Sequence, residues 1–147
     1  MEKVVKEARK LVGVAKWKWG ARPEDAPEFF DCSSFTQWIY QQTGIALPRL
    51  AQQQYEVLGV YGNAQKGYGH RYSVAEAEEG DLLFVSSPYV KGVKQEKHTR
   101  LHVCLVTEKG TVICATNSEL GTGLVEITIN RLLKTRQFRG VGRIKDL

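Results

Sequence analysis

The sequence predicts an α+β fold, with N-terminal helices packed on one face of a central antiparallel β-sheet. Three observations carry that prediction. Apolar residues recur at helical spacing in the first 60 positions. After Gly80 short runs rich in β-branched residues alternate with Gly-bearing turns. No repeat, low-complexity tract or linker divides the chain. At 147 residues, with 42% hydrophobic and 25% charged residues, a single domain over 1–147 is expected. A chain of this size buries a core without metal or disulfide staples. The same composition excludes disorder and collagen-like structure. No apolar run approaches the roughly 18 residues of a membrane span.

Taken in order, Val4, Val5, Ala8, Leu11 and Val12 fall on one helical face and Lys and Glu on the other, with Gly13 as a stop. Residues 17–30 contain Gly20, Pro23 and Pro27 and read as an irregular loop. The best-bounded helix follows, with Asp31 as N-cap, Phe35, Trp38 and Ile39 on one face, and Gly44 as the C′ residue. A shorter helix is expected after Pro48, through Gln52 to Leu58, and a Gly/Tyr/His-rich loop over 59–72. Strands are expected at 82–86, 101–107, 111–116, 124–129 and 137–144, with a long polar connection over 87–100.

The formal net charge is +5. Arg131, Lys134, Arg136, Arg139, Arg143 and Lys145 crowd the C-terminal end, and a solvated basic face accounts for them. No DNA- or RNA-binding motif accompanies the charge, so nucleic acid is not an expected partner. Met1-Glu2-Lys3 runs straight into a helix pattern, without the form of a secretory leader. Three cysteines, Cys32, Cys104 and Cys114, are too few and odd in number for a disulfide framework.

Cys32 stands out by position. It opens the best helix, where unpaired N–H groups and the helix dipole favour an anion and hence a thiolate. A small buried hydrophobe is the alternative role for such a cysteine. Three histidines are candidate bases: His70 and His98 in expected loops, and His102 at the start of a strand, where a rigid backbone can hold an imidazole against a helix-borne thiol. A thiol and an imidazole well separated in sequence are the pattern of a papain-type nucleophile and base.

At this point the residues carry a family resemblance. Phe30-Asp31-Cys32-Ser33-Ser34-Phe35, then Gly44-Ile45-Ala46-Leu47-Pro48-Arg49 and Gln54, resembles the NlpC-type cysteine peptidases of bacterial cell walls. Gly80-Asp81-Leu82-Leu83-Phe84 is similar to their next signature, and His102-Val103 with the hairpin ending Val112-Ile113-Cys114-Ala115 to the block that follows. Upstream, Gly13 and Trp17-Lys18-Trp19-Gly20 resemble the aromatic segment preceding the cysteine. The match runs in order over residues 1–117. It implies a circularly permuted papain-like fold that cleaves amide bonds in peptidoglycan stem peptides, often those of γ-D-glutamyl or diamino acids. It implies Cys32 as nucleophile, His102 as general base and Cys114 at the third catalytic position. Trp17, Asp31, Ser33 and Arg49 fall at positions near substrate, although Asp31 is equally explained as an N-cap and Arg49 as a structural cation. The resemblance also implies the cell envelope or extracellular space; a monomer is expected, with no cofactor.

Two departures stand out. Trp17 replaces the family's usual Tyr, and an indole N–H donates but does not accept. Cys114 replaces the usual His, Asn or Gln, and a thiol is a weak acceptor, which predicts a poorly oriented His102. Hairpin register bears on this. A three-residue loop Glu108-Lys109-Gly110 pairs Thr107 with Thr111, sets Cys104 opposite Cys114 and puts Cys114 diagonal to His102. A two-residue turn would bring Asn117 opposite His102 instead. The longer loop is expected, with Thr116 as a further candidate to hold the imidazole. A Cys104–Cys114 disulfide is possible in that register, but two small core residues are the simpler expectation. The third-position departure makes a non-catalytic member, binding wall peptides or a protein partner, the main rival to an enzyme. A zinc sphere of Cys32, His102 and Cys114 lacks paired-ligand spacing, so no metal is expected.

Overall fold

A computed structural model of the chain describes residues 2–60, 72–86 and 101–146. Residues 61–71 of the expected loop over 59–72, and the expected connection over 87–100, with His70 and His98, lie outside these residues. Among the described residues, four α-helices and seven strands run in the order α1 (Glu2–Leu11), β1 (Lys16–Trp17), β2 (Phe29–Phe30), α2 (Cys32–Gln41), α3 (Ala51–Val57), β3 (Leu82–Ser86), β4 (Leu101–Val106), β5 (Thr111–Ser118), β6 (Gly121–Thr128), α4 (Ile129–Thr135) and β7 (Gln137–Gly142). Strands β3 to β7 form one sheet in the order β6-β5-β4-β3-β7, and every pairing in it is antiparallel.

Alternation along the strands sorts their side chains into two cores. Leu82, Phe84, Val103, Leu105, Ile113 and Ala115 face the N-terminal helices, whose Val4, Val5, Ala8, Phe35 and Ile39 complete that layer. Leu83, Val85, Cys104, Val106, Val112 and Cys114 point the other way. The N-terminal helices therefore cover one face, as expected. The opposite face is apolar too, and Ile129 and Leu132 of α4 cover it together with Tyr72, Val74 and Ala77. Helix α4 is absent from the expectation above because its seven residues directly extend β6, and the expected strand over 124–129 absorbed its start. Among the described residues no helix is long and apolar enough to cross a membrane.

The hairpin takes the three-residue loop. Leu105 pairs with Ile113 and Val106 with Val112, Thr107 N–H donates to Thr111 O at 3.0 Å, and Gly110 turns the chain at φ +70°. The segment read as an irregular loop contains a two-residue parallel pairing, Lys16 with Phe29 and Trp17 with Phe30. That pairing fixes Trp17 beside the entrance to α2.

Both outer strands of the sheet are met by further backbone. Gly13 N–H donates to Leu124 O at 2.9 Å and Leu124 N–H to Ala15 O at 3.0 Å on the β6 side. The approach is close enough that a Cβ on Gly123 would stand 2.8 Å from Ala15 O. On the β7 side Tyr72 and Val141 exchange two bonds of 3.0 and 3.2 Å.

Buried polar anchors set the sheet against its surroundings. The Gly80-Asp81 signature is one of them. Asp81, 2% exposed, accepts from Arg143 Nε and Nη2, both at 2.9 Å, and from Glu78 N–H at 2.8 Å. Tyr40 on α2 donates its hydroxyl to Gly80 O, and burial pushes that phenol well above its ordinary range.

Candidate active site

Helix α2 begins at Cys32 because Asp31 ends the extended chain and caps the first turn. Its Oδ1 accepts from Ser34 N–H at 2.8 Å, while Ser34 Oγ accepts from Asp31 N–H at 2.9 Å. This reciprocal pair satisfies two donors at the helix start. Arg49 closes on the same carboxylate with Nη2–Oδ2 at 2.6 Å and Nη1–Oδ1 at 3.1 Å. It also donates to Ser33 Oγ at 3.0 Å and Ala21 O at 2.8 Å. The N-cap and salt-bridge roles of Asp31 thus coexist, and Arg49 is committed to a protein carboxylate.

Gln54, fully buried on α3, secures the turn from beneath. Its amide donates to Ser33 O at 3.0 Å and Pro48 O at 2.8 Å and accepts from Thr36 Oγ1 at 2.7 Å. The sequence motif contains Gln54, but its role as the tie between α2 and α3 is visible only in three dimensions.

Cys32 and His102, both half-buried, line a cleft of about 880 Å³ together with Trp17, Asp31, Ser33 and Arg49. Six of the seven site residues that the family resemblance implies therefore meet in one depression. The seventh, Cys114, is fully buried and lies behind His102. Trp19, Leu50, Glu56 and Arg136 also line the cleft and were not singled out. For Trp19 the exposed large aromatic side chain is the available signal. Arg136 was read as part of a solvated basic face, whereas its guanidinium binds Glu119 Oε1 at 2.6 Å.

The imidazole of His102 stands between two sulfurs. Burial opposes its charge, but Cys114 first and Cys32 second outweigh burial and raise its pKa to about 10. Cys114 moves the opposite way, to about 5. The Cys104 thiol donating to it is the largest cause, and His102 adds to it, against the effect of burial. Burial pushes the Cys104 thiol itself well up. Both shifts favour an anionic Cys114 beside a charged His102, and sulfur accepts a hydrogen bond far better as thiolate than as thiol. His102 Nε2 is nevertheless buried with no hydrogen-bond partner among the described residues. The other two candidates for holding the ring are engaged elsewhere: Thr116 Oγ1 with Ser118 Oγ at 3.0 Å, and Asn117 Oδ1 with Thr122 Oγ1 at 3.3 Å.

A mixed helix–sheet protein with a half-buried thiol at a helix N-terminus and an imidazole beside it defines a thiol–imidazole cleft class. Comparison with known proteins narrows the class. The NlpC/P60 family model matches residues 13–136, and the chain belongs to that family. It is 32% identical over 117 residues to a gamma-DL-glutamyl hydrolase of Bacillus subtilis, covering 79% of this chain and 23% of that protein. It is 38% identical over 88 residues to a bifunctional muramidase/DL-endopeptidase of the same organism, covering 60% of this chain and 22% of the relative. The chain thus spans about a quarter of the length of these curated relatives. Among solved structures, a lipoprotein-like NLP/P60 family protein from Staphylococcus aureus superposes with a TM-score of 0.63 at 28% identity, covering 97% of this chain and 40% of that one.

Proposed function

We propose that this chain is a cysteine peptidase or amidase that hydrolyses amide bonds in peptidoglycan stem peptides, of the γ-D-glutamyl–diamino acid type, in the cell envelope or outside the cell. The observation that carries the reading is the His102 imidazole held between Cys32 and Cys114 at a cleft in an NlpC/P60 chain. The named activities of the two Bacillus relatives supply the substrate class.

In this reading the Cys32 thiolate attacks the amide carbonyl carbon. Backbone N–H groups at the start of α2 stabilise the oxyanion that develops. His102, held as imidazolium by Cys114, gives its proton to the leaving nitrogen as the C–N bond breaks, leaving a thioester on Cys32. Water then attacks the thioester carbonyl and His102 takes its proton. The carboxylate product departs and Cys32 returns to the thiolate. Cys114 acts through His102 as a positioning residue. Asp31, Ser33, Arg49 and Trp17 present the wall against which the peptide lies.

Digestion of purified peptidoglycan, with mass spectrometry of the released fragments, tests the reading. Fragments ending at γ-D-glutamyl residues are expected from the native chain and none from Cys32→Ala. Binding to peptidoglycan without any fragment from the native chain would favour the non-catalytic alternative, which the unusual Cys114 motivates.

A further inference from the structure

Behind the cleft, the sheet assembles a second chemical group. Cys104 on β4 and Cys114 on β5 are both fully buried and belong to the core on the sheet face away from the N-terminal helices. Their two sulfurs and one imidazole nitrogen of His102 all lie within 4.8 Å of one another. Cys32 is not a member of that cluster. We propose that Cys104, Cys114 and His102 form a binding site for a thiophilic divalent cation of the zinc class.

The donor set supports this chemistry. Two thiolates and an imidazole are ligands that zinc selects over the oxygen donors preferred by magnesium or calcium. Zinc lies about 2.3 Å from sulfur and about 2.0 Å from nitrogen, so a tetrahedral site needs its donors roughly 3.5 Å apart. The independent observation is His102 Nε2, a buried nitrogen with no partner among the described residues, whereas buried polar atoms in native proteins are nearly always satisfied. Leu83, Val85, Val106 and Val112 surround the two cysteines and give the ion a dry setting in which anionic sulfur attracts it strongly. His102 is half-buried and faces the cleft, which provides the entry path. Binding releases the Cys104 thiol proton, and the imidazolium proton wherever His102 is charged, to solvent, so affinity rises with pH.

The ligand set differs from the zinc sphere considered from sequence, since Cys104 takes the place of Cys32. Its consequence for activity rests on the reading above: an ion that holds the imidazole removes it from proton transfer, so zinc acts as a reversible inhibitor without touching the nucleophile.

Titration of the metal-free full chain with cobalt(II), and separately with zinc, tests the site. One ion per chain is expected, with sulfur-to-cobalt charge-transfer absorption and a zinc-dependent rise in Tm. Cys32→Ser should bind as the native chain does. Cys104→Ala should weaken binding by at least about tenfold, the scale set by losing even an outer-shell partner. Cys114→Ala serves as the second variant should Cys104→Ala fail to melt cooperatively. Loss of binding in Cys32→Ser with retention in Cys104→Ala would overturn the proposal, as would the absence of stoichiometric binding to the native chain. Cobalt binding by a chain that, metal-free, cleaves no peptidoglycan would uphold the site and refute the hydrolase reading; cleavage by the metal-free chain with no cobalt binding would do the reverse.

Discussion

The two sides of the cleft are built on opposite plans. On one side Asp31, Ser33, Ser34 and Arg49 bind each other, with the carboxylate shared between a helix cap and a bidentate guanidinium. On the other, Cys32 and Cys114 raise His102 and His102 lowers Cys114, yet Nε2 of the ring makes no hydrogen bond among the described residues. The first set is closed and fixes where the helix begins. The second leaves a buried ring nitrogen open. Rigidity and reactivity thus interleave along the first turn of α2, where Cys32 sits between Asp31 and Ser33.

The largest expected effect falls on the open side. Cys32→Ala should lower the rate of peptidoglycan cleavage by at least roughly 10⁴-fold while leaving Tm nearly unchanged, since nucleophile loss removes the covalent route entirely. Cys114→Ala comes next. It removes the largest influence that raises His102, so the alkaline limb of kcat/KM, expected near pH 10, should move down toward the ordinary histidine value of 6.5. The accompanying loss of kcat is expected to be about 10²-fold from misorientation. An unmoved alkaline limb would mean that Cys114 does not govern the ring.

On the closed side the expected effects are in stability. Gln54→Ala strands Ser33 O and Pro48 O and should cost about 2–3 kcal/mol in denaturant unfolding. Cleavage should fall by less than in either cysteine variant. The smallest effect concerns Glu119, which Arg136 holds at about 2. Its folded value lies below its unfolded one, so its contribution is present above about pH 4.5 and fades as pH falls toward 2. Tm measured against pH for Arg136→Ala should run parallel to the native curve above pH 5. The two curves should converge in acid.

Much of this architecture was legible in the sequence because local chemistry specified it. Asp31, the 35/38/39 stripe and Cys32 define α2 before any tertiary contact is known, and Gly110 fixes the hairpin register and with it the placement of Cys114 near His102. The family motif and the fold matched for the same reason. What stayed hidden depends on neighbours distant in sequence. Strands β1 and β2 are two residues each, too short for any alternation to register. In α4, Leu132 is buried only because the far face of the sheet needs a cover. The downward shift at Cys114 is not legible in sequence, because it depends on a hydrogen bond from Cys104 on the neighbouring strand and on the imidazole of the same strand. Commitment of Arg49 to Asp31 likewise emerges only when two segments 18 residues apart fold together.

The short backbone bridges on the two outer strands have a consequence of their own. Residues 13–15 occupy donors and acceptors along one margin of the sheet, and Tyr72 does so along the other. A foreign extended segment seeking to add itself as a sixth strand would first have to displace these latches. A sheet whose borders are already occupied is poorly suited to templating fibrils.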